Sequence, residues 1–236
     1  MKLALLGYGK MGQIIGTLAT EKGHEIVYKK GSNFETGTLS EAAVAIDFSV
    51  PEAAVDNITK CLDANIPIVS GTTGWLSEYE KVLKKCEACN GSFIYASNFS
   101  VGVNLFFDLN AYAAKLMAPW KEYTVSVEEI HHTEKKDAPS GTAITIAEGI
   151  LEHSDKKNWE LDTVSEENIT ITAKREADVK GTHRVDYESN IDTISIKHEA
   201  HTREGFAKGA ILAAEWLVGK TGVYSMKDVL GLTDSK

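Results

Sequence analysis

The segment Gly7-Tyr8-Gly9-Lys10-Met11-Gly12 constrains this chain more than any other. Glycines at these three places serve, in order, a tight turn, a close approach of backbone to a pyrophosphate, and close packing of helix on strand. The flanks agree. Residues 3–6 are apolar and read as a buried strand, and Met11, Ile14, Ile15 and Leu18 recur at helical spacing until Gly23. A helix opening on such a loop turns its free N–H groups and positive dipole end toward phosphates. Glycine-rich turns also occur without a ligand, so the loop alone leaves a plain structural turn open; the flanking strand and helix favour a dinucleotide.

The alternation continues. Residues 25–28, 44–48, 66–70 and 92–96 are short β-rich runs, and Ser49 with Glu52 has capping-box spacing ahead of a helix over 53–62. Strands alternating with helices predict βαβ units on a parallel sheet, an α/β fold of the Rossmann, doubly wound type. Such sheets bind ligands outside the carboxyl ends of their strands, which directs attention to residues 7–12, 29–33, 49, 71–74 and 97–104. The dinucleotide fingerprint places an acidic residue about 20 positions on, against the ribose 2′-hydroxyl. Here Lys29 and Lys30 follow Tyr28 instead. Unless these lysines are simply solvated, they suit a 2′-phosphate, so NADPH is expected to be preferred and NADH accepted. Gly71-Thr72-Thr73-Gly74 offers amides and hydroxyls to the nicotinamide end, although a bare tight turn has the same sequence.

Beyond Asn104 the pattern changes. A helix carrying Phe106, Leu109, Tyr112, Ala113 and Leu116 precedes the alternation Tyr123, Val125, Val127; further alternation falls at Ile169, Ile171 and Ala173 and at Ile194 and Ile196. These predict an α+β domain with a mixed or antiparallel sheet, one face open to a ligand or a partner subunit. Residues 153–168 are polar and expected to be a surface excursion, and a last helix spans residues 206–218.

Composition excludes several classes. With 236 residues, 43% hydrophobic and 25% charged, the chain has a soluble, globular profile. It has no apolar run near the roughly 20 residues of a membrane span. The apolar start ends at Gly7, too short for a signal-peptide core. Cys61, Cys86 and Cys89 are too few and odd in number for a disulfide framework, which makes the cytoplasm the expected location; Cys86 and Cys89 read as structural thiols. A net charge of -9 disfavours nucleic acid.

The densest chemistry is His131-His132-Thr133-Glu134-Lys135-Lys136-Asp137-Ala138-Pro139-Ser140-Gly141-Thr142-Ala143. Ser140, Gly141 and Thr142 stand where an apolar helix begins, so their amides and hydroxyls suit a carboxylate, and Lys135 adds a full positive charge. The imidazoles supply a proton donor for near-neutral pH. An N-cap with a polar loop is the bland alternative. A metal on His131, His132, Glu134 and Asp137 needs four side chains to converge from one short loop, and a Ser140 nucleophile lacks both an elbow and a base pair; neither is expected.

Together, the glycine loop, Asp47-Phe48-Ser49, residues 71–74, Asn98-Phe99-Ser100-Val101-Gly102-Val103-Asn104, residues 131–142 and Phe206-Ala207-Lys208-Gly209-Ala210 resemble the 4-hydroxy-tetrahydrodipicolinate (dihydrodipicolinate) reductase family, over nearly the whole chain. The resemblance implies a Rossmann domain from residues 1–102 and 203–236, a substrate-binding and tetramerisation domain over 103–202, and a homotetramer. It also implies NAD(P)H-dependent reduction of a cyclic, unsaturated dicarboxylate to tetrahydrodipicolinate, in the diaminopimelate and lysine pathway. Hydride would go to the ring carbon conjugated with the imine, and His131, or a water it positions, would protonate the resulting enamine. Lys135 would be the catalytic partner, with His132, Ser140, Gly141 and Thr142 binding substrate carboxylates. Implied cofactor contacts are Gly7, Gly9, Lys10, Met11, Gly12, Lys29, Lys30, Ser49, Gly71, Thr72, Thr73, Ser97, Asn98 and Phe99. The glycine loop is one residue tighter than in many members, and the acidic residue after the second strand is missing. A silent NADPH-binding regulator and a reductase of an aspartate-family aldehyde are the alternatives; the intact His131, Lys135, Ser140 and Thr142 set weighs against the first.

Overall fold

In the computed structural model, which describes residues 1–232, β1 (Lys2–Leu6) leads through the glycine loop into α1 (Lys10–Glu21). There follow β2 (Glu25–Lys30), β3 (Glu35–Gly37), β4 (Val44–Asp47), α2 (Pro51–Asp63), β5 (Ile68–Ser70), α3 (Tyr79–Ala88) and β6 (Ser92–Tyr95). Next come α4 (Val101–Met117), β7 (Thr124–His131), α5 (Gly141–Leu151), β8 (Asn158–Leu161), β9 (Asn168–Arg175), β10 (Thr182–Glu188) and β11 (Thr193–Glu199). The chain ends in α6 (Glu204–Leu217), β12 (Gly222–Tyr224) and α7 (Met226–Leu230). It divides into two units, Met1–Val101 with Glu204–Lys236, and Gly102–Arg203.

The first unit holds a seven-stranded sheet in the order β12-β6-β5-β4-β1-β2-β3, parallel except for the edge strand β3. The strands next to β1 are β2 on one side and β4 on the other, so strand order reverses there; ligands of such sheets bind at this switch point. Leu3, Ala4, Leu5 and Leu6 of β1 and Val44, Ala45 and Ile46 of β4 are all buried, because helices cover both faces and alternation has no polar side to show. Leu3, Leu5 and Ile46 pack with Ala207, Ala210 and Ala214 of α6, while Ala4 and Leu6 pack with Ala54 and Ile58 of α2 and Val82 of α3.

The second unit holds a five-stranded mixed sheet, β11-β10-β7-β9-β8, in which β7, β9 and β8 are parallel and β10 is antiparallel to both β7 and β11. Its core gathers Val125 and Val127 of β7, Ile169 and Ile171 of β9 and Val185 of β10 against Phe106 of α4 and Ile146 and Ile150 of α5.

Several local expectations change. β2 runs on through Lys29 and Lys30, which pair with Leu5 and Leu6 and, on the other side, with Thr36 and Glu35; the two lysines belong to a strand, not to the loop after it. α2 begins at Pro51, and Ser49 does not cap it. Proline at the first helical turn has no N–H to satisfy and a φ already set for helix, and Ser49 gives its hydroxyl to Asp47 instead. Residues 153–168 include the edge strand β8. α4 buries Val103, Phe106, Asn110 and Ala114 and leaves Leu109, Tyr112 and Leu116 exposed.

Candidate functional site

In the first unit, Lys30, Leu6, Asp47, Ser70 and Tyr95 are register partners in one row at the carboxyl ends of β2, β1, β4, β5 and β6. Gly7 leaves β1 at φ +89, its N–H donating to the Lys30 carbonyl at 2.8 Å. A Cβ on Gly7 would stand 2.0 Å from the Phe48 carbonyl oxygen, and one on Gly12 would stand 2.1 Å from that of Gly7. No side chain fits at either place. At Gly9 a Cβ would meet nothing within 4 Å, so this glycine faces open space. Gly9 is also the N-cap of α1, with no side chain capping it and no acid in the first turn, so the helix N–H groups remain for an anion. A cavity of about 370 Å³ is lined by Gly7, Gly9, Lys30, Ser49 and Asn57 among others. A cradle with this shape and these donors fits the phosphates of a dinucleotide.

Asp47 organises the floor of that cradle. It is fully buried; its Oδ1 accepts from Ser49 Oγ at 2.7 Å and Asn57 Nδ2 at 2.9 Å, and its Oδ2 from Ser70 Oγ at 2.9 Å and Thr72 Oγ1 at 2.7 Å. Asn57 Oδ1 in turn accepts from Lys30 Nζ at 2.6 Å, and the Ser49 N–H donates to Thr72 Oγ1 at 2.8 Å. Lys30, Ser49 and Thr72 thus share one network. The Lys29 ammonium lies 4.9 Å from the Tyr8 ring centroid, a cation–π contact. Lys10 is exposed at the start of α1, Met11 packs on the core, and Gly71 abuts the Phe48 ring, which a Cβ there would approach to 2.3 Å. Thr73 and Ser97 are exposed, Asn98 Oδ1 accepts from the Ser100 N–H at 2.9 Å, and Phe99 is buried with its ring 5.9 Å from that of Phe48.

In the second unit the alternation of β7 buries Val125, Val127, Glu129 and His131 on one face. Glu129, wholly buried, accepts on Oε1 from Arg175 Nη1 and Nη2 at 3.3 and 3.2 Å, and on Oε2 from the Ser140 N–H at 3.0 Å. Oε2 lies 3.6 Å from His131 Nδ1 and 3.8 Å from His183 Nε2. Ser140 caps α5, its Oγ accepting from the Ala143 N–H at 3.1 Å and standing 3.3 Å from His183 Nε2. Arg175 also donates to the carbonyls of Lys135 at 3.3 Å and Asp137 at 2.6 Å, pinning the 132–139 loop, while Lys135 Nζ holds both Asp137 carboxylate oxygens at 2.9 and 2.7 Å. Gly141 and Thr142 form the first turn of α5, and His132 is half-buried with its Nδ1 unpartnered.

Burial pulls His131 down to about 4; Glu129 opposes the shift, and Lys135 and Arg175 reinforce it. His183 is pulled to about 3, again chiefly by burial and then by His131. Both imidazoles are therefore neutral at neutral pH. Burial works to raise Asp137, but the hydrogen bond and charge of Lys135 win, and its carboxyl ends below the ordinary value. Glu129, His131 and His183 bring ligand-type atoms within 4.8 Å of one another; since Arg175 already meets the carboxylate charge and Ser140 its Oε2, we read the cluster as an ion-pair network. In the first unit, burial pushes the Cys86 thiol up to about 11 and Cys61 to about 12, which leaves both unreactive as thiolates.

Sequence reasoning did not single out Glu129, Arg175, His183 or Asn57 as site residues, nor Asp47 beyond its motif. For Glu129 a signal existed: a carboxylate at the next inward position after Val125 and Val127. Arg175 and His183 arrive through register alone, opposite His131 and Glu129.

The profile described as dihydrodipicolinate reductase, N-terminus, matches residues 1–99, and that described as dihydrodipicolinate reductase, C-terminus, matches residues 102–230. A 4-hydroxy-tetrahydrodipicolinate reductase of Christiangramia forsetii is 54% identical over 233 residues, spanning 98% of each chain. One from Methanoregula boonei is 36% identical over 248 residues, spanning 95% of each. The solved structure of a dipicolinate-bound dihydrodipicolinate reductase from a Paenisporosarcina species is similar with a TM-score of 0.76 at 21% identity, over 95% of this chain and 97% of that one. At that identity the likeness speaks to the fold.

Proposed function

The chain belongs to the dihydrodipicolinate reductase family, whose members reduce 4-hydroxy-tetrahydrodipicolinate with NAD(P)H in lysine and diaminopimelate biosynthesis, and we propose that it performs this reduction through residues 131–142. The observation that carries the residue assignment is the buried His131 at the end of β7, facing Glu129 at 3.6 Å, where the strand runs into the loop that carries Lys135 and ends in the Ser140-capped N-terminus of α5.

The nicotinamide, when bound, supplies hydride. Gly7, Gly9, Lys10, Met11 and Gly12 hold its phosphates, and Ser49, Gly71, Thr72, Thr73, Ser97, Asn98 and Phe99 its remaining parts. Lys29 takes the 2′-phosphate, since the Lys30 ammonium is already engaged by Asn57. NADPH is then preferred over NADH.

His132, Ser140, Gly141 and Thr142 bind the substrate carboxylates, using hydroxyls and the open amides of α5. Lys135, screened by Asp137 in the resting site, turns to the substrate and stabilises its negative charge. His131 begins neutral. An incoming negative charge within ~4–6 Å raises a histidine by about 1–3 pKa units, so the dicarboxylate itself moves the ring from about 4 toward the protonated form that donates. Residues 1–102 with 203–236 form the cofactor domain and 103–202 the substrate domain. The enzyme assembles as a homotetramer through the half-exposed face of the second sheet and works in the cytoplasm; among the described residues no helix is long and apolar enough to cross a membrane.

The test is consumption of NADPH and NADH with the condensation product of pyruvate and aspartate semialdehyde as substrate. Turnover with both, and a lower KM for NADPH, is expected. Binding of NADPH without turnover, or turnover of the open-chain aldehyde alone, would refute the proposal.

A further inference from the structure

We infer that Glu129 is the positioning residue for His131, turning the ring so that Nδ1–H faces the carboxylate and Nε2 is the atom that delivers the proton. The inference rests on the reading of His131 as donor. His131 Nδ1 is buried with no hydrogen-bond partner, and Glu129 Oε2 faces it at 3.6 Å, a few tenths beyond bonding reach. An ionised carboxylate can only accept, so the tautomer it selects carries hydrogen on Nδ1. On the other edge of the ring, a Cβ at Gly181 would lie 3.4 Å from Nε2 and 3.5 Å from Cδ2. Glycine there keeps that edge clear.

The charged and titratable groups facing His131 come from four places: Glu129 on its own strand, Arg175 on β9, His183 on β10 with ring centroids 5.0 Å apart, and Lys135 with Asp137 from the loop. Lys135 and Arg175 oppose protonation, and His183 is neutral. Of the two anions, Asp137 is tied to Lys135. Glu129 gives Arg175 only its Oε1, leaving Oε2 toward the histidines. Glu129 is thus the anion positioned to stabilise an imidazolium here. When substrate arrives, Nε2 takes a proton from solvent and Nδ1–H closes on Oε2. The Nε2–H bond then breaks as the new C–H bond forms on the reduced ring, and His131 returns to the neutral Nδ1–H form while Glu129 keeps its charge. Through Ser140 the same carboxylate also fixes the start of α5, so it orients donor and anion site together.

The first test needs no variant. In full-length protein labelled with ¹⁵N-histidine, the nitrogen shifts of His131 near neutral pH are expected to report the Nδ1–H tautomer; an Nε2–H tautomer would overturn the inference. Next, Glu129→Gln keeps the shape and removes the charge. Its His131 should stay neutral at every pH where the wild-type ring begins to protonate, a displacement of about one unit or more. Its kcat should fall about tenfold or more, with KM for the dicarboxylate within about threefold. Glu129→Asp keeps the charge and should bring the His131 titration back to within about half a unit, while its shorter reach to Ser140 raises KM. A folded Glu129→Gln protein with an unshifted His131 leaves only a structural role and sinks the inference. If Glu129→Gln does not fold, the wild-type tautomer and Glu129→Asp decide it. If His131→Gln keeps turnover within about threefold, the donor reading and the catalytic half of this inference fail together, whatever the tautomer.

Discussion

Arg175→Ala removes a side chain that forks onto Glu129 Oε1 at 3.2 and 3.3 Å and donates to the carbonyls of Lys135 and Asp137. Glu129 has no exposure of its own, and among the described residues its cation partner is Arg175. Stripping one partner from a buried pair leaves an uncompensated charge and costs about 3–5 kcal/mol. The two loop carbonyls, nearer solvent, add less. For a chain of this size each kcal/mol is roughly 2–4 °C in Tm, so the melting transition that includes the second unit should fall by roughly 6–20 °C. Arg175→Lys keeps the charge but not the planar fork, and should fall between wild type and Arg175→Ala. Differential scanning calorimetry measures the shift, and urea titration checks it. Because the loop carrying Lys135 loses its pin, KM for the dicarboxylate should rise as well. An Arg175→Ala protein within about 1 kcal/mol of wild type, with unchanged KM, would show that Glu129 is not held as an ionised buried partner.

Lys29→Ala removes the cation assigned to the 2′-phosphate; a lost charge-assisted contact of about 1.5–3 kcal/mol should raise KM for NADPH by roughly 10–100-fold and leave NADH within about twofold. Equal losses for both cofactors would contradict that assignment. Gly12→Ala would ordinarily stabilise a helix, but here its Cβ would stand 2.1 Å from the Gly7 carbonyl oxygen. It should destabilise by about 1–3 kcal/mol and weaken both cofactors, and a Tm equal to or above wild type would refute the packing role. The His183 pKa of about 3 has a consequence for acid stability. Its folded value is depressed below the unfolded 6.5, so the stabilisation is present above pH 6.5. As pH falls toward 3 the unfolded chain binds a proton that the folded one does not. This group then contributes a loss of about 1.4 kcal/mol per pH unit between roughly pH 6 and 3. A His183→Gln protein should show a shallower acid limb in chemical denaturation; an identical limb would count against a buried neutral His183.

The first unit was largely legible in the sequence because its signals are local. The glycine loop and the apolar runs of β1 and β4 each carry their own periodicity or turn chemistry. Where local reading failed, a stronger local rule or a distant strand had intervened. Pro51 started α2 in place of a serine cap, and β3 drew Lys29 and Lys30 into β2. In the second unit, residues 131–142 stood out as a dense run, whereas Glu129, Arg175 and His183 meet only through the pairing of β7 with β9 and β10. Such pairing is fixed by long-range register, which no short window contains. The outward stripe Leu109, Tyr112 and Leu116 has helical spacing indistinguishable from a core face.

The most direct measurement is the turnover of His131→Gln against wild type, with saturating NADPH and the cyclic dicarboxylate, once both proteins are shown to be folded and to bind NADPH equally. A general acid at His131 predicts a loss on the order of 10²–10⁴ in kcat. A loss below about threefold would contradict the assignment and leave proton delivery to another group.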